Sequence, residues 1–132
     1  MDLKMLKAEA MKSRELSYSP YSNFAVGAVL ITKDGRLFRG ANLENASYPL
    51  SICAERTAMF AAKLAGVKPE EVEVLALVAD SPSIVSPCGA CRQVMAELLL
   101  PETPVVLFTV GGLELVTSVK ELLPYAFSKE NL

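Results

Sequence analysis

Residues Val72 to Ala79 form a nearly continuous apolar run, broken only by Glu73. A strand of this kind has no face to give to water, so it must be covered on both sides. The flanking sequence supplies the cover. Residues 2 to 16 contain no Gly or Pro, and Leu3, Leu6 and Ala10 share one face, which predicts a helix. Cys53 to Ala65 reads as an alanine-rich helix closed by Gly66, with Ala54, Ala58, Ala61 and Ala65 as a stripe that lets another backbone approach. A third helix opens at Ser86-Pro87-Cys88, with Ser86 as N-cap and Pro87 at the first helical position. Its Cys91, Val94, Met95, Leu98 and Leu99 follow the spacing of a buried face, and Pro101 ends it.

The remaining strands fall between these helices. Phe24 to Thr32 is apolar and β-branched, and Lys33-Asp34-Gly35 turns it into Arg36 to Asn42 as a hairpin. Pro104 to Val110 and Leu113 to Val116 are further strands around the Gly111-Gly112 turn, followed by a short helix from Ser118 to Leu123. Helices alternating with buried strands after an opening hairpin predict an α/β fold. The expected architecture is one three-layer α/β/α domain over residues 1 to 132, with a mixed central sheet. Apolar residues make up 52% of the chain, enough for a sizeable core on each face of that sheet.

The chain contains three cysteines and no histidine. Catalysis by Ser-His-Asp or Cys-His is therefore excluded within it, as are His-rich zinc sites. Cys88-Gly89-Ala90-Cys91 places two sulfurs on one helical face, near a positive helix end that favours thiolate. Cys53 stands at the start of another helix, so three thiolates can meet one ion. Spacing alone leaves a metal site, a redox pair and core packing all open. A structural zinc site is normally closed by four protein ligands. With three cysteines, either a carboxylate closes the site or water takes the fourth position. Glu55 follows Cys53 by two residues, and neighbours two apart on a helix point in separate directions. It is an ordinary first-turn glutamate, a fourth ligand, or a proton carrier beside the metal.

The formal net charge is -2, with no run of Lys or Arg, which fits a small substrate better than a nucleic-acid strand. Charges interrupt the apolar residues from Met1 to Lys7, so that segment does not read as a signal peptide. No stretch approaches the roughly 18 apolar residues of a membrane helix. A cytoplasmic location, with reduced thiols, is the expectation.

Cys53-Ala54-Glu55 followed by Pro87-Cys88-Gly89-Ala90-Cys91 resembles the zinc signature of the cytidine deaminase superfamily. Tyr18-Ser-Pro-Tyr-Ser-Asn-Phe-Ala-Val-Gly27, Asn42-Leu-Glu-Asn-Ala-Ser-Tyr-Pro49, Cys53-Ala-Glu-Arg-Thr57 and Ser86-Pro-Cys-Gly-Ala-Cys-Arg-Gln93 are similar to the short deaminases of free nucleosides. The resemblance implies a zinc ion on Cys53, Cys88 and Cys91, with Glu55 shuttling protons during hydrolysis at C4 of cytidine or deoxycytidine. It implies that Asn42 and Glu44 bind ribose hydroxyls, that Phe24 lines the pyrimidine pocket, and that the Ala54 backbone meets the base edge. Arg56 would offset thiolate charge. Short members of the family are homotetramers with shared active sites, and Ala46, Tyr48 and Phe127 match positions contributed by neighbours. The same motifs also suit a deaminase of another aminopyrimidine or of a nucleoside antibiotic such as blasticidin S. A zinc-binding module without catalysis and a thiol redox protein are the readings from other classes.

Overall fold

The computed structural model describes residues 1–132. Five strands form one sheet: β1 (Val26–Thr32), β2 (Leu37–Ala41), β3 (Val72–Ala79), β4 (Pro104–Thr109) and β5 (Glu114–Ser118). Their order is β2-β1-β3-β4-β5. Only β3 and β4 run parallel, so the sheet is mixed, as expected. The helices are α1 (Leu3–Arg14), α2 (Ala54–Leu64), α3 (Gly89–Leu98) and the single turn α4 (Val119–Leu122).

Strand alternation divides the apolar run between two cores. Leu75 and Leu77 of β3 face α2 and α3, packing with Met59, Cys91 and Met95. Val74, Ala76 and Val78 face the other way, against Leu6 and Ala10 of α1. Both faces of β3 are thus dry, and the three-layer α/β/α arrangement follows from that one strand.

Two glycines set how close the helices come. A Cβ on Gly27 would lie 2.3 Å from the Ala10 carbonyl oxygen of α1. On Gly40 it would lie 2.2 Å from the Ala54 carbonyl oxygen and 2.5 Å from the Ala58 nitrogen of α2. The close approach expected of the alanine stripe is therefore made to strand β2. The buried stripe is Ala54, Ala58 and Ala62, whereas Ala61 is half-buried and Ala65 is exposed. The covered arc of α2 runs from Ala54 through Glu55, Ala58, Met59 and Ala62; Ala61 sits at its rim, and Ala65 is the C-cap beyond the last helical residue. The Thr57 hydroxyl completes the docking: it accepts from the Ala41 N–H at 3.0 Å and lies 2.8 Å from the Ala54 carbonyl oxygen.

The start of α3 differs from the expected one. Ser86 is not the N-cap and Pro87 is not the first helical residue. Cys88 caps the helix in extended conformation, and α3 begins at Gly89. The Arg92 side chain accounts for the delay. It donates from Nε to the Pro87 carbonyl at 2.7 Å and from Nη2 to the Ser86 hydroxyl, holding both residues outside the helix. Similarly, α2 begins at Ala54 with Cys53 as its N-cap.

Candidate active site

The N-cap residues of α2 and α3, on the same face of the sheet, are both cysteines, and neither sulfur makes a capping hydrogen bond. The sulfurs turn towards each other instead. Cys53 Sγ lies 3.8 Å from Cys88 Sγ, which lies 3.5 Å from Cys91 Sγ. All three fall within 4.8 Å of one another. A tetrahedral ion with bonds of about 2.3 Å to sulfur sets neighbouring sulfurs roughly 3.8 Å apart. The donor set and its spacing fit zinc. The Glu55 carboxylate is not part of the cluster, so the protein offers three ligands.

The electrostatics follow from packing three thiols under two helix ends. Cys53 is lowered to about 5, because the Cys91 thiol donates to it, with help from Arg56 and Cys88 and against its own burial. The Arg56 Nη2 sits 3.6 Å from Cys53 Sγ. Cys91 is pushed well up, first by sharing its proton with Cys53, then by burial and by Glu55. Glu55 is 5% exposed. Burial raises its pKa, and the Cys53 charge adds to that. A carboxyl that keeps a proton more readily than usual is better suited to take one and return it.

Cys53, Ala54, Glu55 and Cys88 line one cavity of about 300 Å³ together with Phe24, Val26, Asn42, Glu44, Leu77 and Val85. The far wall of that cavity is polar and well anchored. Asn42 Oδ1 accepts from the Val26 N–H at 2.9 Å and the Ser17 hydroxyl at 2.5 Å, and Asn42 Nδ2 donates to the Phe24 carbonyl at 2.7 Å. One amide hydrogen of Asn42 is left to donate. Glu44 Oε1 accepts from the Tyr21 and Ser22 N–H groups at 2.9 and 3.1 Å, and Oε2 accepts from the Ser22 hydroxyl. That hydroxyl is the main reason the Glu44 carboxyl sits below its ordinary range; the Ser22 and Tyr21 amides add to it. Asn42 thus offers a donor and Glu44 an acceptor, which suits a pair of neighbouring hydroxyls.

The structure gathers Phe24, Asn42, Glu44, Cys53, Ala54, Glu55 and Cys88 around this cavity, with Arg56 and Cys91 behind it. Tyr48 lies at the mouth, 71% exposed, its ring edge-on to Tyr21 at 6.1 Å. It shares a shallow depression with Glu44 and Ser51. Ala46 is exposed and lines neither cavity. Phe127 is 58% exposed, and its carbonyl accepts from Gln93 Nε2 on α3 at 2.8 Å. A larger cavity of about 490 Å³ lies between the end of α3 and the C-terminal segment, lined by Leu99, Leu123 and Tyr125 among others. It contains no part of the sulfur cluster. Sequence reasoning missed Ser17, Ser22, Gly40 and Thr57, which anchor site residues. The three hydroxyls bond Asn42, Glu44 and Ala41 across 25, 22 and 16 positions, and Gly40 meets Ala54 of α2, so none of these roles shows in local spacing.

A family model for the zinc-binding region of cytidine and deoxycytidylate deaminases matches residues 2–107. A cytidine deaminase of Halalkalibacterium halodurans is 52% identical over 132 residues, covering 100% of this chain and 98% of its own length. The crystal structure of cytidine deaminase from Burkholderia pseudomallei superposes with a TM-score of 0.93 at 51% identity, covering 96% of this chain and 100% of that one. Cytidine deaminase from Mycobacterium tuberculosis superposes with a TM-score of 0.80 at 36% identity, covering 97% and 98%.

Proposed function

The chain belongs to the cytidine and deoxycytidylate deaminase family, and from that premise we propose that it hydrolyses free cytidine and deoxycytidine to uridine and deoxyuridine, releasing ammonia. One observation carries this reading. The sulfur cluster and the buried Glu55 open into the same cavity as the donor of Asn42 and the acceptor of Glu44. Chemistry and sugar recognition can therefore act on one molecule at once.

Cys53, Cys88 and Cys91 would hold the zinc. Zinc bound there supplies the Lewis acidity that lets water act as a nucleophile near neutral pH. Glu55 takes a proton from that water and delivers it to N3 of the cytosine ring, which makes C4 more electrophilic. The same carboxyl then carries the second proton to N4, so that the amine leaves as ammonia. One water is consumed, and its oxygen becomes O4 of the uracil ring. Three thiolates would crowd negative charge at the metal. Arg56 and the N-terminal ends of α2 and α3 offset part of it. The Ala54 backbone, at the first position of α2, faces the base edge, and Phe24 covers the ring. Asn42 and Glu44 take the sugar hydroxyls.

We place the enzyme in pyrimidine salvage in the cytoplasm, acting on free nucleosides and not on nucleic acid or at a membrane. The net charge of -2 supports the first part of this, and no helix is long and apolar enough to cross a membrane. A homotetramer with shared sites is the proposed working form. Exposed Tyr48 beside the cavity mouth and exposed Phe127 would serve there as groups offered to a neighbour, with Ala46. Size measurement in solution by light scattering tests the assembly.

The activity itself is tested by following cytidine, deoxycytidine and cytosine in the ultraviolet, before and after chelation. Both nucleosides should be consumed, free cytosine far more slowly, and chelation should stop the reaction until zinc is returned. Undiminished turnover in a verified metal-free sample would overturn the mechanism.

A further inference from the structure

Within the loop Tyr18 to Phe24, one hydroxyl, that of Ser22, reaches a residue distant in sequence. Ser22 Oγ donates to Glu44 Oε2 and accepts from the Phe24 N–H at 3.0 Å. A serine hydroxyl has one hydrogen to give, and here it goes to the carboxylate. The same atom therefore connects the acceptor on the sugar side of the cavity to the backbone of the aromatic on its base side. The chain reverses sharply at this point. Asn23 has a φ of 58°, a left-handed conformation that Asn tolerates, and its N–H bonds the Ser19 carbonyl at 3.0 Å.

The Glu44 carboxylate shows what the hydroxyl adds. Oε1 is held by two backbone amides, which no side-chain change removes. Oε2 has the Ser22 hydroxyl as its only protein donor. Without it, the carboxylate could pivot about Oε1, and Oε2 would lose its fixed direction. Phe24 would lose the bond that fixes its backbone at the entry to β1.

We infer that Ser22 is a positioning residue that sets the enzyme's discrimination for the sugar hydroxyls by aiming Glu44 Oε2 and holding Phe24 in register with it. The inference rests on the reading above that Glu44 receives a sugar hydroxyl. Ser22 itself touches no reacting atom. It lies on the exposed lip of the depression shared with Tyr21 and Tyr48, so its replacement does not open the core.

The test compares kcat and KM for cytidine and 2′,3′-dideoxycytidine in the zinc-loaded wild type, Ser22→Ala, Ser22→Thr and Glu44→Gln. In Ser22→Ala the KM for cytidine should rise roughly tenfold with kcat within about twofold, the size expected for one lost bond to a charged acceptor. The kcat/KM ratio of cytidine to its dideoxy analogue should fall by the same factor. Ser22→Thr keeps the hydroxyl and should restore the ratio. A merely structural serine would lower kcat/KM for both nucleosides equally, leaving the ratio in place, and that result overturns the inference. So does a Ser22→Thr variant as impaired as Ser22→Ala. Glu44→Gln separates the two levels: a ratio unmoved by it overturns the sugar reading and the Ser22 inference together. A ratio that collapses in Glu44→Gln but stands in Ser22→Ala overturns Ser22 alone.

Discussion

Helix α1 and the helix pair α2 and α3 lie on opposite faces of one sheet, and they begin in opposite ways. Asp2 caps α1 conventionally, its carboxylate accepting from the Met5 N–H at 3.1 Å. Cys53 and Cys88 stand at the same position of α2 and α3 and cap nothing with their side chains. An absent side-chain cap costs about 1 kcal/mol relative to Ser, Thr, Asp or Asn. The site helices thus forgo a stabilisation that α1 takes. In exchange, their sulfurs are free to converge, and their positive ends face the charge that three thiolates create. One end of the comparison is built for stability and the other for chemistry, and substitutions can separate them.

Cys88→Ser should have the largest effect. A serine hydroxyl is a good N-cap and a poor partner for zinc beside two thiolates. Turnover should vanish and zinc should be lost, as read by metal analysis of the dialysed protein. The chelated variant should nevertheless melt no lower than chelated wild type, because the helix gains a cap. A chelated variant that is clearly less stable would show that Cys88 supports the fold beyond its sulfur, and the comparison would break.

Glu55→Gln follows. Removing a general acid and base lowers rates by about 10² to 10⁴. We expect kcat to fall about 1,000-fold, while zinc content stays that of the wild type. Loss of zinc together with activity would make Glu55 a ligand. Glutamine preserves shape and hydrogen bonding, so the raised proton affinity caused by burial is what the change removes.

Gly40→Ala and Gly27→Ala form a matched pair of intermediate effect. Both place a Cβ against helix backbone, at 2.2 Å from Ala54 O in one case and 2.3 Å from Ala10 O in the other. Either helix must shift, at about 1 to 3 kcal/mol for overpacking. Only α2 carries Cys53 and Glu55 in its first turn. A displacement on the order of 1 Å there costs about 100-fold in kcat. Gly27→Ala should lose similar stability, by denaturant unfolding, with a much smaller loss of kcat. Equal losses of kcat would mean that the α1 face is coupled to the site as tightly as α2.

The legibility of the molecule divides along the same line. The apolar run of β3 carried the two covered faces of the sheet, because burial on both sides leaves few alternatives, and the opening hairpin with the later alternation of helices and strands carried the mixed topology. Spacing and the missing histidines made Cys53, Cys88 and Cys91 one candidate metal site among other readings, and the resemblance pointed to Glu55, Phe24, Asn42 and Glu44; the structure brings the sulfurs together and sets the other four around the same cavity. The start of α3 was not legible. Ser86-Pro87 satisfies every local preference for a cap and first turn, yet Arg92 folds back from inside the helix and holds both residues out. The anchors were equally hidden. Ser22 meets Glu44 across 22 positions and Thr57 meets Ala41 across 16, and such pairs exist only once the strands are paired. Local rules saw the elements and the reactive groups; the contacts that aim those groups are long-range.

The smallest effect is the one that most directly tests the contrast between helix ends. Asp2→Ala removes the side-chain cap of α1 and nothing else of note, because Asp2 is exposed and its one side-chain bond is to Met5. The loss should be about 1 kcal/mol or less, a fall in Tm of about 3 °C. Zinc content, kcat and KM should match wild type throughout, since α1 contributes no residue to the cavity. A drop in kcat in Asp2→Ala at unchanged zinc would mean that fraying at α1 reaches the loop from Ser17 to Phe24 and loosens Asn42 and Glu44. The division between a face for stability and a face for chemistry would then fail at its cheapest point.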